Sequence, residues 1–140
     1  ALRPLDRLQP YRLEMGTALA TPRGKDLYAY WGDTVADYLN QRLAGERSPL
    51  IANLASVEYA RVALRKTLAA RVVDCQFEEW KGGGYKIISF FAKQARGLMA
   101  RYAIEHRVRR PEQLQGFSAA GYALAREVST PERLVFRRRA

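Results

Sequence analysis

Between Val72 and Trp80 apolar and polar residues alternate. Val73, Cys75 and Phe77 share one face, and Asp74, Gln76 and Glu78 the other. This is the period of a half-buried strand. The following Lys81-Gly-Gly-Gly84 predicts a tight turn and hence a β-hairpin. Its second arm, Tyr85–Phe91, is apolar on both faces apart from Lys86 and Ser89, which predicts an inner strand covered on both sides. The period then becomes helical. Phe91, Ala95, Leu98, Met99, Tyr102 and Ala103 fall on one stripe, with Lys93, Arg96 and Arg101 opposite.

The first half carries a second strong helical pattern. Asp26 to Ala44 repeats apolar residues at three and four, with Trp31 and Tyr38 expected in the core and Tyr28 off the stripe. Gly45 is a natural stop. Leu50–Leu54 predicts a short buried strand, and Ser56 an N-cap for a helix to about Leu68, with Glu58 offsetting the dipole in its first turn. Among the breakers of residues 1–24, Tyr11–Met15 reads as a short strand, with Arg12 and Glu14 on one face. Pro111 opens a short helix, Gly121–Tyr122 and Leu134–Phe136 suggest a final strand, and Arg137–Arg139 reads as a solvated tail. The sum is an α+β (mixed α/β) fold: a short sheet including a hairpin, packed against several helices, in one domain over residues 1–140.

Charge adds a direction to this picture. The net charge is +10. Residues 71–140 hold fourteen Lys/Arg against seven Asp/Glu, and residues 1–70 ten against seven. A basic excess beyond the middle of the chain, on and after the stretch that begins at Lys86, fits nucleic acid, anionic membrane or an acidic protein. No apolar run reaches membrane-spanning length; of these partners nucleic acid is the one expected, and no membrane. Cations near a helix N-terminus oppose its dipole and make better sense where an anion binds. A merely solvated outer face is the competing reading.

Candidate chemistry is sparse. Cys75 is the only cysteine and His106 the only histidine. No intrachain disulfide or Cys/His zinc site is available, and no metal or cofactor is expected. One cysteine fits a reducing, cytoplasmic setting, and its alternating neighbours place it as a packed apolar side chain. The glycine run lacks a following Lys-Ser/Thr, so it is a turn and not a P-loop. Asn53, Ser56 and Glu58 at a strand-to-helix turn, with Arg12, are the residues from which an enzyme acting on a nucleotide or nucleic acid would be built.

Several segments also resemble one family: Leu2–Asp6, Gln9–Gly16, Gly24–Tyr28, Asn53–Ser56, Glu58-Tyr59, Lys86–Phe90, Ala95–Met99 and Pro111–Leu114. They are similar, in order through essentially the whole chain, to YaaA-type peroxide stress proteins. The resemblance implies a bacterial cytoplasmic protein of the hydrogen peroxide response that limits unincorporated iron. It also implies DNA binding through a positively charged cleft on a mixed α/β fold. Members are longer, so the chain looks like the C-terminal half of a larger single-domain fold. The missing N-terminal half is then an expected partner, and it includes the helix-hairpin-helix-like segment. Exposed apolar surface is expected where that half packs. The expected partner outside the protein is DNA, duplex or branched, bound with weak sequence preference. The expected contacts are Arg12, Lys25, Tyr28, Lys86, Lys93, Arg96 and Arg101, with Tyr28 stacking on a base.

Overall fold

The computed structural model describes residues 7, 14–18 and 20–139. Arg12 and most of the Tyr11–Met15 strand expectation lie outside the described residues. Two compact units are present, Ala1–Gly32 and Asp33–Ala140. In the first, Asp26 caps α1 (Leu27–Trp31) by accepting from Ala29 N–H at 2.8 Å. Arg23 lies 4.4 Å from the centre of the Tyr30 ring.

The helix expected over residues 26–44 is two helices. Gly32, at φ 48°, ends α1, and α2 (Thr34–Leu43) starts afresh. The break resets the helical wheel. Trp31 and Tyr38, expected in the core, are instead 41% and 59% exposed.

The second unit continues with β1 (Leu50–Asn53), α3 (Val57–Ala63) and β2 (Arg71–Lys81). Ser56 caps α3, as its position predicts. The helix ends at Ala63, short of Leu68, because the next segment finds other partners. The Asn40 side chain donates to Thr67 C=O and accepts from Ala69 N–H, both at 2.8 Å. Arg65 donates to Asp33 at 3.0 Å. Then come β3 (Gly84–Lys86), α4 (Ser89–Glu105), α5 (Pro111–Leu114), β4 (Ala123–Leu124) and β5 (Arg133–Arg138).

The hairpin is present. Gly82 and Gly83 join β2 to β3 at φ 62° and 83°, both in the left-handed region that a two-residue type I′ turn requires. Its second arm is much shorter than Tyr85–Phe91. Pairing stops at Lys86, and Ser89 already lies in α4. Ile87 and Phe90 are 58% and 64% exposed, so this is not an inner strand. A short apolar run reads alike as a buried strand or as a hairpin end plus a first helical turn.

The core lies where β2, β5 and α4 meet. Val73, Cys75 and Phe77 of β2 pack with Leu134 and Phe136 of β5 and with Ala92, Ala95 and Met99 of α4. Phe77 stacks on Phe136 at 5.4 Å and meets Phe117 and Tyr122 edge-on. Burying Phe77 and Phe136 contributes about 2 kcal/mol each. Alanines at 92 and 95 let α4 sit close to the sheet. On its far side a Cβ added at Gly97 would meet nothing within 4 Å. Gly97→Ala is therefore expected to stabilise the chain by about 0.5–1 kcal/mol, seen as a raised Tm; an unchanged or lowered Tm would contradict this.

The sheet has strand order β1-β2-β5-β4, with β3 also on β2. β5 runs parallel to β2 over residues 74–79. On the opposite side of β2, parallel β1 stops at Asn53–Asp74, and antiparallel β3 begins only at Lys86–Glu79. Residues 75–78 thus have a strand neighbour on one side only among the described residues. The interruption is about 16 Å long at the usual rise per residue.

Candidate functional site

The interruption is the floor of a cleft of about 380 Å³. Asn53 and Ala55 line it where β1 ends, and Val57, Ala60, Arg61 and Leu64 line it from α3. Asp74, Cys75, Gln76 and Phe77 come from β2, and Ile87, Ala92 and Arg96 from the β3–α4 side. The site thus opens beside the C-terminal end of a parallel strand, a common ligand position in such sheets. Most of its exposed lining is apolar.

Its polar groups are held in place. Asn53 donates to Asp74 at 2.6 Å and accepts from Ala55 N–H at 3.1 Å. Asp74 N–H donates to Glu132 C=O at 2.9 Å, which turns the backbone groups of even-numbered β2 residues toward β5. Those of Phe77 point the other way, into the interruption, and find no partner among the described residues. Cys75 is buried beside the site, and burial, and then the charge of Asp74, push its pKa up to about 12. It is a protonated, weakly reactive thiol.

The expected contact residues separate into groups. Lys93 and Arg96 are one turn apart on α4, about 60° from each other around the helix. Arg96 is half-buried at the cleft and Lys93 exposed. Lys86 ends β3, with its ammonium close to the Gly82 turn. None of the three has a carboxylate within ion-pair distance among the described residues. Arg101 differs: its guanidinium donates to Glu105 at 2.7 Å, and it stands about 140° around α4 from Arg96. Lys25 is exposed and Tyr28 half-buried, both in the first unit.

The N-terminus of α4 has no side-chain cap and no acidic residue in its first turn, so its partial positive charge adds to these cations. Of the polar trio at the β1–α3 turn, Asn53 enters the cleft. Ser56 is occupied as the α3 cap, Glu58 is exposed, and neither lines the cleft.

Asp74, Gln76, Arg61 and the Phe77 backbone belong to the site without having been singled out in the sequence. The pairing registers reveal the three β2 residues, and the packing of α3 beside β2 reveals Arg61. Among the described residues no three His, Cys, Asp or Glu side chains cluster to hold a metal. Among the same residues no helix is long and apolar enough to cross a membrane.

Comparison with known proteins agrees with the sequence resemblance. The family model described as peroxide stress protein YaaA matches residues 1–128. A UPF0246 protein of Leptothrix cholodnii is 70% identical over 138 residues, covering 99% of this chain and 54% of that protein. UPF0246 proteins of Bordetella petrii and Bordetella pertussis are 62% and 63% identical over 139 residues, with the same coverage. The chain spans about half the length of the curated relatives it matches. It belongs to the family of YaaA peroxide stress proteins.

Proposed function

We propose that the protein acts in the hydrogen peroxide response by binding DNA through its phosphates, with α4 and its approach as the contact surface. The observation that carries this reading is the group Lys86, Lys93 and Arg96, three cations without a carboxylate partner among the described residues at an uncapped helix start. The net charge of +10 supplies the long-range attraction. Protection against iron-dependent damage follows in this reading from occupancy of the DNA. The exposed Phe90 and Ile104 form an apolar strip on α4 beside these cations, and it is on this strip, not on the cations, that the remaining half of longer relatives would pack.

Phosphate contacts release counterions, so affinity for a short duplex should fall with salt. Three contacts predict a slope of log K against log salt of roughly −2.7, at about −0.9 per phosphate. Reversing Lys93 and Arg96 to glutamate should flatten the slope by about two contacts' worth and weaken binding, with the thermal melt retained. A titration of both proteins over a salt series decides this. Salt-independent affinity, or wild-type binding by the double variant, would remove the assignment.

A further inference from the structure

We propose that the interruption in the sheet edge between β1 and β3 binds one unpaired nucleobase, with the attached phosphate against Arg96. This rests on the phosphate-binding reading of α4 and adds to it a specific class of ligand.

The geometry limits what fits. A volume of about 380 Å³ lies at the small end of ligand sites, which run from about 300 to 1,000 Å³. An extended peptide adding to a sheet edge needs room to run on. Here β1 closes one end at Asn53 and β3 the other at Lys86, so the opening suits a compact planar ligand.

The chemistry narrows it further. The backbone N–H and C=O of Phe77 present one donor and one acceptor side by side at the floor. Asp74, whose carboxylate accepts from Asn53, and Gln76 line the same cleft. Neighbouring donors and acceptors are what the edge of a nucleobase offers, and bases taken out of a stack are read along that edge. Ala60, Leu64, Ile87 and Ala92 provide aliphatic contact for the ring faces. Arg96 places a positive charge at the wall for the phosphate, and Lys93 extends that charge outward along the helix.

The test uses the isotope-labelled protein, four nucleoside 5′-monophosphates and ribose 5-phosphate as the base-free control. At least one nucleotide should bind about tenfold more tightly than the control, about 1.4 kcal/mol. The amides of Phe77 and Ile87 should shift on its addition. Ala55→Trp, placing a bulky ring at an exposed position of the cleft, should reduce nucleotide affinity to that of the control. Equal binding of control and nucleotides, or an unmoved Phe77 amide, overturns the proposal. If duplex DNA still binds with the expected salt slope in that case, only the nucleobase site is lost. If duplex binding is absent too, the phosphate-binding reading falls with it.

Discussion

Arg138→Ala should lower the unfolding free energy by about 3 kcal/mol, the low end of the range for breaking one side of a buried ion pair. The reason lies with its partner. The side chain of Glu79 is only 6% exposed, one of the few places where this fold buries a charge. Arg138 Nε donates to one carboxylate oxygen at 2.8 Å, and the Tyr122 hydroxyl donates to the other. The guanidinium is held in turn. It donates to Ala120 C=O at 3.1 Å and lies against the rings of Phe91 and Tyr122, 5.0 and 4.8 Å from their centres. Truncation leaves a buried carboxylate with one hydroxyl and no cation. Replacing Arg138 and Glu79 together with leucine removes both charges and should cost less than Arg138→Ala alone. Urea unfolding of the two variants is the measurement. Equal losses would mean that packing of the arginine stem, and not the stranded charge, carries the effect.

The same network sets an alkaline limit. Burial, and then the hydrogen bond to Glu79, raise the Tyr122 pKa from 10.0 to about 12. A folded-state value above the unfolded one means that the neutral phenol stabilises the fold below pH 10. That contribution disappears as pH climbs toward 12.

This cluster shows what was legible in the sequence and what was not. The alternation of β2 placed Val73, Cys75 and Phe77 inward, and they are buried. Carried two residues further, it puts Glu79 inward as well, and a buried carboxylate demands a cation. That cation is 59 residues away, in a terminal arginine run that reads locally as a solvated tail. Arg137 and Arg138 instead lie in β5. Arg137 bonds to Glu78 at 2.9 Å and Glu127 at 3.0 Å, and stacks on Tyr85. Both pairings depend on the parallel register of β5 with β2, which no local period encodes. The cleft was hidden for the same reason. Asn53 and Arg96 were each picked out for their own chemistry. Their convergence depends on where β1 and β3 stop along β2. The hairpin, by contrast, was legible because its two glycines and the alternation beside them are neighbours in the chain.

Cys75 in the folded protein should react with a disulfide reagent about a thousandfold more slowly than a free cysteine at neutral pH. Its thiol pKa rises from 9.0 to about 12, first by burial and second by the charge of Asp74. Each unit removes a factor of about ten in thiolate, the reactive form. Burial also limits access of the reagent, so this factor is a minimum. Denaturation in urea should restore the ordinary rate, which separates a perturbed thiol from an oxidised one. The elevated value also ties the thiol to stability. The neutral form supports the fold below pH 9, and that support is lost as pH rises toward 12. In a member of a peroxide stress family the consequence is functional. Peroxide oxidises thiolates far faster than thiols, so a cysteine held protonated is a poor sensor. Trapping of a sulfenic acid at Cys75 in the native protein under mild peroxide, or a native reaction rate near that of free cysteine, would reverse this conclusion. It would also make the single thiol, and not the cationic helix beside it, the first place to look for the peroxide response.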